Sequence, residues 1–377
     1  MNELAETLED VFGFSSFRPG QEEIINHLMQ KKKLLAVMPT GAGKSLCFQL
    51  PALLFENQTI VVSPLLALMD DQVIGLKDLG VKAERVHSGM TESKREQVWE
   101  EFKNKTIKIL YISPESLMRN EMICALKPLN ISMFVVDEAH CISKWGSDFR
   151  QEYDLLKELQ NHFPEAVISA FTATADEETR SDINNKLTNG EGKIFLHGFN
   201  RPNLSLAVQQ KTNNWKAQLL EFLENRKNQS GIVYCLSQKL TEQCSEFLRS
   251  EGFNAYPFHA GLDTQVKIDT QDKFMTEDNV VVCATIAFGM GIDKADVRYI
   301  AHISLPSSME AFYQEIGRAG RDGLEADTLL IFGLQDLFQR KRFIDMSDAH
   351  DSFKIKEHKR LDALIAYCDS ATCRRQT

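Results

Sequence analysis

The stretch Met38-Pro-Thr-Gly-Ala-Gly-Lys-Ser45 constrains this chain more than any other. An apolar run, Leu34 to Val37, leads into it, and Leu46-Cys-Phe-Gln49 follows. Glycines at 41 and 43 let the backbone bend so that successive N–H groups point inward. The positive end of a following helix adds to those donors, which makes a cradle for a phosphate chain. Thr40, Gly41, Ala42 and Gly43 supply the backbone of the cradle. Lys44 carries a charge that reaches β- and γ-phosphates, and Ser45 carries a hydroxyl suited to Mg²⁺. The pattern G-x-x-x-x-G-K-[ST] asks for glycine at 38, where this chain has Met38. Read alone, the loop is therefore also compatible with a glycine-rich turn between strand and helix.

The rest of the chain supplies the context. Short β-branched runs alternate with longer amphipathic segments. The strand candidates are Leu34–Met38, Thr59–Val62, Ile107–Ile112, Met133–Val136 and Val167–Ala170 in the first half. In the second they are Gly231–Cys235, Ala255–Phe258, Asn279–Cys283, Arg298–Ile303 and Thr328–Phe332. Helices are expected between them, at Glu92–Lys103 with Thr91 as N-cap, and at Lys216–Asn225. Alternating β and α elements imply parallel sheets covered by helices, with ligands at the carboxyl ends of the strands. The 377 residues exceed what one core usually covers, so two domains are expected. A break falls near Gly198-Phe-Asn-Arg-Pro-Asn203, and a charged helical tail begins after Gly333.

Composition excludes some classes. No run of 18 apolar residues is present, so nothing spans a membrane as a helix. The acidic start, Met1-Asn-Glu-Leu-Ala-Glu6, lacks the basic and apolar regions of a signal peptide. The eight cysteines are scattered singly and read as reduced. A net charge of −10 argues against indiscriminate nucleic-acid binding but leaves room for a local basic channel.

Two further motifs complement the loop. Phe134-Val-Val-Asp-Glu-Ala-His140 is an apolar strand ending in two acids. Asp137 fits the carboxylate that holds Mg²⁺, and Glu138 the group that orients and deprotonates an attacking water. Gln314-Glu-Ile-Gly-Arg-Ala-Gly-Arg-Asp-Gly323 carries Arg318 and Arg321 at a spacing expected to share a helical face. An arginine of this kind stabilises charge on a transferred phosphate.

With these pieces together, the chain from about Leu8 onward resembles the RecQ family of superfamily 2 DNA helicases. Phe12-Gly-Phe14 and Phe17-Arg-Pro-Gly-Gln21 are similar to the family's motif 0. That similarity implies that Gln21 recognises adenine, with Arg18 supporting the nucleotide and Phe17 beside it. Thr40 to Gln49 resembles motif I, Ser63-Pro-Leu-Leu-Ala-Leu-Met-Asp-Asp-Gln72 motif Ia, and Ser113-Pro-Glu115 motif Ib. Ser63 and Ser113 are then implied DNA contacts. The segment from Asp137 to Arg150 resembles the aromatic-rich loop, with Trp145, Phe149 and Arg150 on DNA. Aromatic faces stack on unpaired bases, which suits that role. Ser169 to Ala175 resembles motif III. Val233-Tyr-Cys235 and Phe258-His-Ala-Gly261 resemble motifs IV and IVa, Ala284 to Lys294 motif V, and Gln314 to Gly323 motif VI. The resemblance assigns Gln314, Arg318 and Arg321 to catalysis, with Arg321 in the finger position, Asp293 to the nucleotide, and Asn200, Arg201, His259 and Thr285 to DNA.

The implied fold is α/β, with two tandem RecA-like domains and a short C-terminal helical segment. The boundaries are 1–198 (ATP-binding), 199–333 (second helicase domain) and 334–377 (helical start of a zinc-binding domain). The implied activity is ATP- and Mg²⁺-dependent 3′–5′ movement on single-stranded and forked DNA in repair or recombination. A monomer of bacterial, cytoplasmic type, on the nucleoid when bound to DNA, goes with it. A DNA-stimulated ATPase core with weak unwinding, and an RNA helicase of DEAH or DEAD type, are the alternatives. Two positions depart from the family pattern, Ser147 in place of His and Gln151 in place of Pro. Cys373 matches the first of four zinc ligands, and the chain stops before the others, so no structural zinc and a frayed last helix are expected.

Overall fold

The computed structural model describes residues 2–87, 89–143, 150–198, 201–289, 294–347, 350–370 and 372–375. The chain forms two compact units, Met1–Phe199 and Asn200–Thr377.

The first unit holds seven strands among the described residues. They are β1 (Leu34–Val37), β2 (Thr59–Val62), β3 (Ala83–Val86), β4 (Ile109–Ile112), β5 (Met133–Val136), β6 (Val167–Thr172) and β7 (Lys193–Leu196), in the order β3-β4-β2-β5-β6-β1-β7. All pairings are parallel, with Leu34 opposite Ser169 and Met133 opposite Val167. Helices cover both faces, so the central strands are buried throughout and read as continuous apolar runs. Thr91 caps the helix Glu92–Lys103 by accepting from Lys94 N.

The second unit holds β8 (Leu204–Gln210), β9 (Gly231–Tyr234), β10 (Asn254–Phe258), β11 (Val280–Ala284), β12 (Tyr299–His302) and β13 (Ala326–Phe332), again all parallel, in the order β10-β11-β9-β12-β13-β8. At the start of β9 the chain has Gly231 because any Cβ there would lie 2.1 Å from the Tyr299 ring.

The strands absent from the sequence expectation are β3, β7 and β8, and each is an edge strand. Edge strands carry charge and polar residues that blunt further pairing, which erases the apolar run that marks a central strand. β3 reads Ala-Glu-Arg-Val and β8 exposes Ser205, Ala207, Gln209 and Gln210.

The tail forms two helices, Leu334–Asp345 and Asp351–Asp369. The second does not fray before its end: Leu361, Leu364, Tyr367 and Cys368 are buried in one core cluster with Phe312 and Ile316. Among the described residues, no helix is long and apolar enough to cross a membrane.

Candidate active site

Every strand of a parallel sheet ends on the same edge, which gathers loops distant in sequence. Along the first sheet that edge carries Ser113 after β4, Ser63 after β2, Asp137 and Glu138 after β5, Ala173 and Thr174 after β6, and the loop 38–45 after β1.

Gly41 and Gly43 adopt left-handed backbone, φ 82° and 78°. Gly43 immediately precedes the helix Lys44–Leu54, and a Cβ there would lie 2.4 Å from Gln21 Nε2. Lys44 Nζ donates to Met38 O at 3.3 Å. The buried Gln21 donates its amide to Ala42 O (3.1 Å) and Gly43 O (3.2 Å), and its Oε1 accepts from Arg18 N at 2.8 Å. Arg18 Nη1 donates to Gly41 O at 2.6 Å. The structure thus lays both residues on the carbonyls of the phosphate-type loop, and Phe17 packs against the core beneath. At the far end of the same motif, Gln49 Nε2 donates to Gln72 Oε1 (2.9 Å) and to the Tyr111 hydroxyl (3.1 Å). Motifs I and Ia therefore touch through their last residues.

Asp137 is buried at the end of β5, its N–H bonded to Val62 O and its Oδ1 accepting from Glu138 N at 2.9 Å. Burial, then the charge of Glu138, pushes its carboxyl up to about 7, while Lys44 pulls it back. Glu138 stands in left-handed backbone, φ 47° and ψ 45°. A non-glycine residue there stores strain, which is characteristic of functional turns. His140 Nδ1 lies 3.3 Å from Glu138 Oε2 and 2.9 Å from Thr172 Oγ1, which in turn donates to Thr174 O. The second acid is thereby tied to the end of β6. His140 and Thr172 lie in the segments 134–140 and 169–175, but residue type alone assigns neither a separate role. Tyr153, whose hydroxyl donates to Asp137 O at 2.9 Å, carried no sequence signal at all.

A buried carboxylate held partly protonated beside an ammonium fits a site that takes a cation. Asp137 closes β5 on the sheet edge that also carries the loop 38–45 with Ser45. Among the described residues, no group of three or more His, Cys, Asp or Glu could hold a metal by itself.

In the second unit the helix Met309–Ile316 ends before the arginines. Arg318 and Arg321 occupy the turns after it and do not share a helical face. Gly320, which stands between them, takes φ 54°, which no helix continues through. Arg318 is buried, and its Nη1 donates to Gly289 O. Arg321 and Gln314 are half-buried.

The residues assigned to DNA are less uniform. Ser63 and Ser113 are buried, and Ser113 Oγ bonds Ser116 Oγ at 2.9 Å. Arg150 Nη1 donates to Pro64 O, which joins the loop after β5 to motif Ia. Arg201 spends its guanidinium on carbonyls of the arginine turn. His259 is buried after β10, and half-buried Thr285 follows β11. Trp145, Phe149, Asn200 and Asp293, together with Ser147, lie outside the described residues.

Residues 18–183 match the DEAD/DEAH box helicase family, 215–323 the helicase conserved C-terminal domain, and 334–377 the RecQ zinc-binding family. The chain is 42% identical over 368 residues to "ATP-dependent DNA helicase RecQ" of Haemophilus influenzae, covering 98% of this chain and 59% of that protein. It is 40% identical over 350 residues to "Probable ATP-dependent DNA helicase RecS" of Bacillus subtilis, covering 92% of this chain and 70% of that one. The chain thus spans about three fifths of the first of these relatives. A crystal structure of the DUF1998 helicase MrfA bound to DNA and AMPPNP shares the fold, with a TM-score of 0.74 at 19% identity, covering 91% of this chain and 52% of that one.

Proposed function

Because this chain belongs to the RecQ family of ATP-dependent DNA helicases, we propose that it hydrolyses ATP and couples hydrolysis to 3′–5′ movement along single-stranded DNA and to opening of forked duplex, in repair or recombination. The observation that carries this reading is the Asp137–Glu138 pair on one sheet edge with the Lys44 loop, where the first carboxyl is buried and pushed up to about 7.

Lys44 holds the phosphates, with the N–H groups of residues 40–43. Ser45 and Asp137 hold Mg²⁺, which neutralises phosphate charge when bound. Glu138 orients water and takes its proton, and His140 fixes the direction of that carboxylate. Phe17, Arg18 and Gln21 take the adenine end, and Asp293 and Gln314 serve the nucleotide. Arg321 answers the charge that develops on the transferred phosphate, while Arg318, held by Gly289 O, braces the turn. Trp145 and Phe149 stack on bases. Ser63, Ser113, Arg150, Asn200, His259 and Thr285 follow the strand, while Arg201, also assigned to DNA by the resemblance, is held on the carbonyls of the arginine turn. On this reading residues 1–198 and 199–333 are the two helicase domains, 334–377 opens a zinc-binding domain, and the protein works as a monomer on the nucleoid.

The test is an ATPase assay with single-stranded DNA or RNA, run beside strand displacement on duplexes with 3′ or 5′ tails. E138Q is expected to bind ATP and hydrolyse it very slowly, and K44A to lose hydrolysis and unwinding together. Near-normal DNA-stimulated turnover in E138Q refutes the role of Glu138. Stronger stimulation by RNA refutes the DNA assignment.

A further inference from the structure

The C-terminal segment touches the arginine turn through a relay of side chains on backbone carbonyls. Arg201 Nη1 donates to Gly317 O at 3.2 Å, and its Nη2 to Ala319 O (2.8 Å) and Gly320 O (2.7 Å). These are the carbonyls that the ending helix Met309–Ile316 and the turn beyond it leave without an intrahelical partner, and a guanidinium there also suits the negative helix end. Asn203 Nδ2 adds bonds to Gly320 O (3.0 Å) and Leu324 O (2.8 Å). The turn is closed so tightly that a Cβ at Gly320 would lie 2.6 Å from Asn203 Nδ2. Arg318 and Arg321 lie between the residues whose carbonyls are so held.

The segment 201–204 is itself held from the far end of the chain. Arg375 Nη1 donates to Arg201 O at 2.8 Å, and its Nη2 to Pro202 O at 3.3 Å and to Leu204 O. A second contact runs in parallel. Tyr367 packs its ring 5.7 Å from Phe312, on the helix whose C-terminal end Arg201 caps.

The geometry points to Arg375 and Arg201 as positioning residues: the start of the zinc-binding segment sets where the motif VI arginines stand, and so tunes ATP turnover from the end of the chain. This rests on the role given to Arg321 above. The guanidinium of Arg375 bonds the carbonyls of residues 201, 202 and 204 and acts through Arg201, so its effect falls on turnover and not on nucleotide affinity.

The test is a double-mutant cycle in steady-state ATPase with saturating single-stranded DNA, on the whole chain. R375A is expected to lower kcat roughly ten-fold, with KM for ATP and the thermal unfolding curve little changed. R375K, which reaches one carbonyl where Arg reaches three, is expected to fall between. In an R321A background, R375A should add no further loss, because the group it positions is gone. Unchanged kcat in R375A, losses that multiply across the cycle, or an equal fall in R375K and R375A each overturn the inference. If R375A does not fold, R375K carries the cycle alone, and a kcat loss that persists in the R321A background sinks it. Full turnover in R321A refutes instead the reading on which the inference rests.

Discussion

Replacing Asp137 with Asn keeps the shape of the side chain and its bond from Glu138 N but removes its ionisation. In the wild-type chain without metal, the Asp137 carboxyl titrates near 3.8 when unfolded and is pushed up to about 7 when folded, first by burial and then by Glu138. Between those values the folded protein keeps a proton that the unfolded chain has released. Its stability therefore falls as pH rises, by about 1.4 kcal/mol per unit, and levels off above about 7. From pH 5 to pH 8 two of those units lie in the window, so the first unit should lose about 3 kcal/mol that D137N does not lose. The assay is urea unfolding in EDTA, read by tryptophan fluorescence in a W215F background, which leaves Trp99 and Trp145 to report on the first unit. D137N and wild type should differ least at pH 5 and most at pH 8. E138Q should show a shallower fall than wild type, since it removes the charge that adds to burial. Adding Mg²⁺ with ADP should shrink the gap by favouring the ionised carboxylate. Parallel pH profiles for D137N and wild type refute the argument that Asp137 is held against ionisation.

Two further outcomes follow from the loop and its supports. G43A forces left-handed backbone on alanine and drives a methyl into Gln21, so urea unfolding should show a loss of about 2–3 kcal/mol together with weaker nucleotide binding; an unchanged midpoint refutes the packing argument. Q49L deprives the buried Tyr111 hydroxyl and Gln72 of their donor, and should cost about 1–3 kcal/mol; if it also leaves the dependence of ATPase rate on DNA untouched, motifs I and Ia are not coupled through this contact.

The strands found in the sequence are mostly central ones. Val and Ile runs such as Thr59–Val62 are legible because both faces of a parallel strand are buried, so apolarity is continuous. Ala83–Val86, Lys193–Leu196 and Leu204–Gln210 are not, because one side of each faces away from the sheet. The same limit governs the site. Lys44, Asp137 and Glu138 were legible because their chemistry needs those residue types at strand ends. Tyr153 was not, because a hydroxyl bonded to one carbonyl can come from many places in a chain.

By itself the sequence determined the α/β class, the phosphate-type loop and the order of the motifs, since backbone conformation and functional chemistry at these positions depend on residue type and near neighbours. Tertiary structure alone decided that Arg18 and Gln21 rest on the loop carbonyls, that Arg318 is buried against Gly289 while Arg321 stands half-buried, and that Arg375 reaches residues 201–204. Those contacts join residues up to 174 positions apart. Hydrogen bonds to main-chain carbonyls leave no mark on the partner's residue type, so only the folded chain reveals them.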